Sequence, residues 1–150
     1  MMNQLITEID IEINSMFIIV SEIDMLLNDV GDNLPTNVHK TALGGMAAQF
    51  YNGVENIFKR IHKHYHIELP SGEDWHLAIL ERFSPSSSND LPIKLSEDLL
   101  EKLTNYRRFR HYFFHGYSHS LNWEILKNGV NDISEVFEKL KTEIYSKLNI

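Results

Sequence analysis

Apolar side chains return at steps of three and four residues along most of this chain, and no stretch alternates with period two for long enough to argue a sheet. That spacing is the period of one helix face, so the chain must be built from amphipathic helices that bury their stripes against one another. The first stripe runs from about residue 5 to 27 through Ile9, Ile13, Phe17, Val20, Ile23 and Leu27. A second, Leu43, Met46, Phe50, Val54, Ile57, Phe58, Ile61 and Tyr65, continues towards Pro70. Ser71 and Asp74 have the spacing of a capping box and open a short third helix over DWHLAILERF. Ser96 caps a fourth, whose Glu97 and Asp98 sit in the positive first turn and whose stripe is Leu99, Leu100, Leu103, Tyr106, Phe109 and Phe113, with Gly116 as its stop. The fifth stripe, from Trp123 through Leu126, Val130, Ile133, Phe137, Leu140 and Ile144 to Leu148, reaches the end of the chain.

Between the stripes lie the expected chain-reversing residues, GDNLPTN at 31–37 and SPSSSNDLPIKL at 84–95, the latter read as a surface loop. Gly44 and Gly45 interrupt the second stripe. Without the Lys and Ser or Thr of a phosphate loop after them, they read as a place where another helix comes close. The expectation is one all-α domain over residues 1–150, an up-and-down bundle of about five helices with no internal repeat.

Composition removes several function classes. With no cysteine there is no disulfide framework, no thiol nucleophile and no thiolate zinc site, which favours the cytoplasm. The longest apolar runs, such as FIIV at 17–20, are too short to cross a bilayer, and no basic segment precedes an apolar one at the N-terminus. No membrane association and no export are expected. The formal charge of −7 has the wrong sign for a general nucleic-acid coat, so the location of charge matters more than its sum. From Lys102 to His119 the chain carries Lys102, Arg107, Arg108 and Arg110, three histidines at 111, 115 and 119, and no Asp or Glu.

This cationic island is the informative window. Arg110 and His115 are five residues apart, about 140 degrees of rotation on an ideal helix, and so do not share a face. Either the helix yields before Gly116 and swings His115 round, or the pair meets its counterpart from a second, symmetry-related chain. Both routes predict a composite cleft.

The run RHYFFHGY, with Arg110, four residues, His115, one residue and Tyr117, resembles the motif of the HEPN superfamily, and most closely its HepT-like toxins. The LPSGEDWH segment at 69–76, the polar loop after it and the order of helices extend the resemblance over most of the chain. It implies a metal-independent endoribonuclease, without a cofactor, acting as a homodimer on RNA in a cleft between protomers. The residue types suit that chemistry. An imidazole, here His115, removes or relays the proton of a ribose 2′-hydroxyl near neutral pH, and a guanidinium, here Arg110, holds two oxygens of the phosphate as charge builds. The resemblance also implies a nucleotidyltransferase antitoxin that transfers AMP to the motif tyrosine, Tyr117, so that added bulk and charge block RNA.

Arg107, Arg108, His111 and His119 are candidate RNA contacts, each with the plainer reading of a solvated helix residue. Arg110 and His115 have plain readings too, as an ion-pair partner and a helix-end histidine favoured by the C-terminal dipole. His62 with His66, His111 with His115 and His115 with His119 have the i, i+4 spacing of zinc ligands, but neither HExxH nor a Glu-x-x-His repeat accompanies them. No metal is therefore expected, and the HKHYH run at 62–66 reads as an exposed helix end. Trp75 reads as a core residue and the aromatics at 106, 109, 112, 113 and 117 as core or dimer interface, with stacking on bases as the second reading for all of them. The competing functions are a non-catalytic accessory or substrate-binding subunit of a nucleotidyltransferase and a zinc-dependent hydrolase.

Overall fold

A computed structural model describes residues 2–117 and 120–148. Every regular element among them is helical: α1 (Met2–Val30), α2 (Asn37–His64), α3 (Trp75–Glu81), α4 (Glu97–His115) and α5 (Trp123–Leu148). None is long and apolar enough to cross a membrane.

α2 is the hub of the bundle and packs against each of the other four helices. Its own stripe explains this, because Leu43, Ala47, Phe50, Tyr51, Val54, Ile57, Phe58 and Ile61 are all buried and together cover more than one side of the helix. Thr36 caps it by accepting from the His39 backbone N–H while His39 Nδ1 accepts from the Thr36 N–H, a reciprocal pair that satisfies two otherwise orphaned donors. α1 lies along α2, and Arg60 bridges the seam to Glu8 at 3.3 Å and Glu12 at 3.0 Å.

The start of α4 is tied to α5. Ser96 Oγ accepts from Leu99 N and donates to Glu143 Oε2 at 2.7 Å, while the Ser96 N–H donates to Glu143 Oε1 at 2.8 Å. Further along, the buried Tyr106 hydroxyl donates to the Gly129 carbonyl at 2.7 Å, and Gly129 has no side chain to obstruct the Phe109 ring. A Cβ at 129 would lie 2.3 Å from Phe109 Cε2. These contacts set the height and rotation of α4, and with them the position of the helical residues of the cationic window, Lys102 to His115.

Several local expectations are corrected. Phe17 faces solvent; Met16 takes the core position, tucked against Gly53 of α2. The buried face of α1 keeps the steps of three and four through Leu5, Ile9, Ile13, Met16, Val20 and Ile23, so the expected stripe is displaced by one residue only at 16 and 17. α2 stops at His64, and His66 takes a left-handed conformation (φ 56°) that ends the helical course well before Pro70. α3 begins only at Trp75, after a turn at Gly72, and Asp74 makes no side-chain cap, so the capping box does not form. The segment 84–95 is not wholly a surface loop. Leu91, Ile93 and Leu95 are buried, and Lys94 gathers the Arg82 and Ser87 carbonyls and Asn89 Oδ1 around its ammonium, stapling the turn to α3.

Candidate functional site

The cationic window from Lys102 to His115 lies on α4, and the helix runs unbroken through His115. Gly116 ends it in an extended conformation, its N–H donating to Tyr112 O. The helix therefore does not yield early, and Arg110 and His115 stay on different faces of it, separated by the rotation their spacing dictates.

Arg110 turns inward, towards α2. Its Nε–H donates to Asn52 Oδ1 at 2.7 Å, and its guanidinium carbon sits 5.1 Å from the centre of the Phe114 ring one turn on. A guanidinium gripped at Nε and backed by a ring has its orientation chosen for it, while the two terminal nitrogens make no other hydrogen bond among the described residues. Those are the atoms that would hold two phosphate oxygens together.

His115 is exposed, as is His111 one turn before it, and the two rings lie against each other with centroids 4.4 Å apart. No hydrogen bond or ring contact joins Arg110 to either histidine among the described residues. Arg108 is exposed further round the helix and lines an apolar groove of about 620 Å³ between α4 and α5, together with Lys102, Tyr112, Asn122, Ile125 and Asn128. Arg107 faces the bundle instead. Its Nε is buried near the buried Tyr51 of α2, and among the described residues neither that Nε nor the Tyr51 hydroxyl has a hydrogen-bond partner. Burial pushes the Tyr51 phenol far above its ordinary pKa, the neighbouring Glu55 carboxylate adds to the rise, and Arg107 and Arg110 oppose it. Tyr117, just past the helix, is 76% exposed. His119 lies outside the described residues.

The close approach expected at Gly44 and Gly45 is present. A Cβ on Gly44 would stand 3.1 Å from Phe113 Cδ1 and 3.0 Å from Leu121 Cδ1, and one on Gly45 3.3 Å from Phe113 Cζ. The two glycines let the end of α4 settle onto α2, which brings Asn52 within reach of Arg110 two turns along.

Asn52 was not legible as a site residue, since an asparagine on an amphipathic helix is usually a surface residue. Glu55 was missed for a similar reason. Its carboxylate is buried, held by His76 Nδ1 of α3 at 2.6 Å, and the His76 ring stacks on Trp75, which also carries Lys59 Nζ at 4.7 Å from its ring centre. Trp75 is thus half-buried against the core rather than within it. The signal that could have found this pair is a glutamate amid a continuous apolar stripe, between Val54 and Ile57.

The zinc-like spacings fare unequally. His62 is fully buried, its Nδ1–H donating to Phe58 O at 2.7 Å, whereas His66 is exposed beyond the helix end, so HKHYH is not a uniformly exposed cluster. Among the described residues no group of three or more His, Asp or Glu is gathered as a metal site would need.

No curated protein and no solved structure matches the chain. A family model described as HepT-like protein matches residues 42–148, from the glycine pair of α2 to the last residue of α5, and thus spans the whole of the site. The chain belongs to the HepT-like family of HEPN proteins.

Proposed function

We propose that this HepT-like protein is a metal-independent endoribonuclease and the toxin of a two-component system, acting as a homodimer in the cytoplasm. The observation that carries the reading is the state of Arg110: oriented by Asn52, backed by Phe114, and with neither terminal nitrogen hydrogen-bonded among the described residues, on the same helix end that exposes His111 and His115. A guanidinium arranged in this way suits an anion with two oxygens to offer.

His115 serves as the proton relay. A ribose 2′-oxygen attacks the adjacent phosphorus, its proton passing to an imidazole, and the bond to the 5′-oxygen breaks as that oxygen gains a proton. The products are a 2′,3′-cyclic phosphate and a free 5′-hydroxyl. The nucleophile belongs to the substrate, so DNA is not cleaved by this route. Because Arg110 and His115 of one protomer look in different directions, the guanidinium of one chain and the imidazole of its partner complete each centre, and Arg108 and His111 contact flanking phosphates. Arg107, turned towards Tyr51, supports the site from beneath.

Tyr117 is the site of control. A nucleotidyltransferase antitoxin joins the phenol oxygen to the α-phosphorus of ATP, with pyrophosphate leaving and the phenol proton going to solvent, and places a charged nucleotide beside the cleft. The exposure of Tyr117 supports this.

The deciding experiment is cleavage of RNA by the purified protein in EDTA. The wild-type protein is expected to cut, while Arg110→Ala and His115→Ala remain folded and dimeric and do not. Equal cleavage by all three proteins overturns the catalytic reading.

A further inference from the structure

The net charge of this protein has an unusual address. Residues 1–39 carry seven carboxylates and no Lys or Arg, whereas the other 111 carry 14 acidic and 14 basic side chains, so the whole of the −7 belongs to α1 and the turn after it. On the side of α1 turned away from the core, Ile11 is 57% exposed, Ile18 58% and Met25 67%. They are spaced seven apart and form a line about 21 Å long at 1.5 Å per residue.

Sevenfold spacing is the mark of a helix seam. With Ile11, Ile18 and Met25 at one apolar position of the heptad, Asn14, Ser21 and Asn28 fall at the other, and the flanking positions hold Ser15, Glu22 and Asp29 on one side and Asp10, Phe17 and Asp24 on the other. Phe17 is itself 58% exposed and widens the apolar line. Asp10 is engaged by Tyr145 of α5, but Glu22, Asp24 and Asp29 are exposed.

We infer that this face of α1 is a docking seam for an amphipathic helix of another protein, one with apolar residues along its centre and Lys or Arg along both flanks. The flanking charges choose the occupant. A second copy of α1 would set Asp24 against Asp29 in a parallel pair, or Glu22 against Glu22 and Asp10 against Asp24 in an antiparallel one, and would offer no cation to any of them, a repulsive arrangement that coiled coils use to forbid self-pairing. Nucleic acid is refused by the same sign. A basic-flanked helix instead gains attraction on both edges and covers three large apolar side chains that the described residues leave more than half exposed. The seam uses neither Arg110 nor His115, so it stands apart from the cleavage chemistry.

The test uses the full-length protein and three synthetic three-heptad helical peptides: one with apolar a and d positions and Lys at e and g, one with Glu at e and g, and a scrambled peptide of the first one's composition. Fluorescence anisotropy at low salt is expected to show the Lys peptide binding at least about tenfold tighter than either other peptide, with the advantage shrinking as salt rises. Ile18→Glu, at an exposed position and checked by circular dichroism for unchanged helicity, is expected to remove binding. The triple reversal Glu22→Lys, Asp24→Lys, Asp29→Lys is expected to transfer the preference to the Glu peptide. Arg110→Ala is expected to bind as wild type. Equal binding of the Lys and scrambled peptides, no binding of the Lys peptide, or indifference to Ile18→Glu overturns the inference. So does concentration-dependent self-association that Ile18→Glu abolishes, since the occupant would then be a second copy.

Discussion

Removing the Asn52 carboxamide should injure catalysis more than folding. The bond from Arg110 Nε to Asn52 Oδ1 is 2.7 Å long, involves a charged donor, and is partly shielded between α2 and α4. Bonds of that kind contribute about 1.5–3 kcal/mol net. In Asn52→Ala the guanidinium keeps its Phe114 contact, about 0.5–1 kcal/mol, which restrains but does not aim it. The orienting free energy lost is then about 1–2 kcal/mol, a fall of roughly 5- to 30-fold in rate. The half-exposed arginine can turn to water, so stability should drop by no more than about 1 kcal/mol. Single-turnover cleavage of a fluorogenic RNA in EDTA, with enzyme in excess and varied, separates the maximal rate from the half-saturating concentration. Asn52→Ala should lower the first and leave the second nearly unchanged. Asn52→Asp, which still accepts from Nε but brings a negative charge to the phosphate, should raise the second with a strong salt dependence. If Asn52→Ala cleaves at the wild-type maximal rate while Arg110→Ala is inactive, Asn52 does not aim the guanidinium. If Arg110→Ala is itself fully active, the error lies in the catalytic assignment instead.

Three other perturbations have directions set by the structure. Burial lowers the His62 pKa below its ordinary value near 6.5, with Arg82 adding to the fall and the Phe58 carbonyl opposing it. The unfolded chain therefore binds more protons as pH drops through 6.5; the contribution of His62 to stability is complete above that pH and declines below it, by at most about 1.4 kcal/mol per pH unit, and urea unfolding of His62→Phe should show a shallower loss between pH 6.5 and 5. Gly129→Ala should destabilise by about 1–3 kcal/mol, because its Cβ meets the rigid Phe109 ring at 2.3 Å and overpacking outweighs a helix-propensity gain of about 1 kcal/mol; thermal melts of the two proteins decide it. Protein produced together with an adjacent nucleotidyltransferase should gain the mass of one AMP on the peptide containing Tyr117, and Tyr117→Phe should escape both the modification and the loss of RNA cleavage; AMP on another residue would remove Tyr117 from the control mechanism.

Which features could be read from the sequence follows from how far each interaction reaches along the chain. The helices were legible because a stripe such as Leu126, Val130, Ile133, Phe137, Leu140 and Ile144 repeats within one segment, and all six are buried. Ser96 was legible as a cap because its partner, Leu99 N, is three residues away. Phe17 was misplaced because Phe17 and Met16 fit helical spacing almost equally well, and only the gap at Gly53 of α2 decides that the thinner, flexible methionine enters. The buried half of 84–95 was hidden by composition, since Ser, Pro and Asn dominate a segment whose Leu91, Ile93 and Leu95 are set at every second residue. In the site, Arg110 and His115 lie close enough in sequence to be noticed together. Asn52, 58 residues from Arg110, and Glu55, 21 residues from His76, owe their roles to helix packing that no local pattern encodes.

The address of the charge also resolves an apparent conflict between the proposed substrate and the overall sign. A protein of net charge −7 should repel a polyanion, yet beyond residue 39 the acidic and basic side chains balance, and within that balanced part Lys102, Arg107, Arg108 and Arg110 belong to a stretch, 102 to 119, that contains no Asp or Glu, although Lys102 pairs with Asp98 one turn before it. At physiological ionic strength fields fade over about 8 Å, so an RNA at the end of α4 responds chiefly to the cations beside it and little to carboxylates on a distant helix face. A strand that comes near α1 is repelled there and one that comes near the end of α4 is attracted, so on the proposed function the two faces favour encounters at α4. Neutralising Glu22, Asp24 and Asp29 to the corresponding amides tests this division. Specific cleavage at saturating enzyme should not change, whereas association at low salt should lose discrimination, with more RNA bound non-productively along α1. If the neutralised protein instead cuts many times faster at saturation, the acidic helix acts on the site directly and the two faces are not electrically separate.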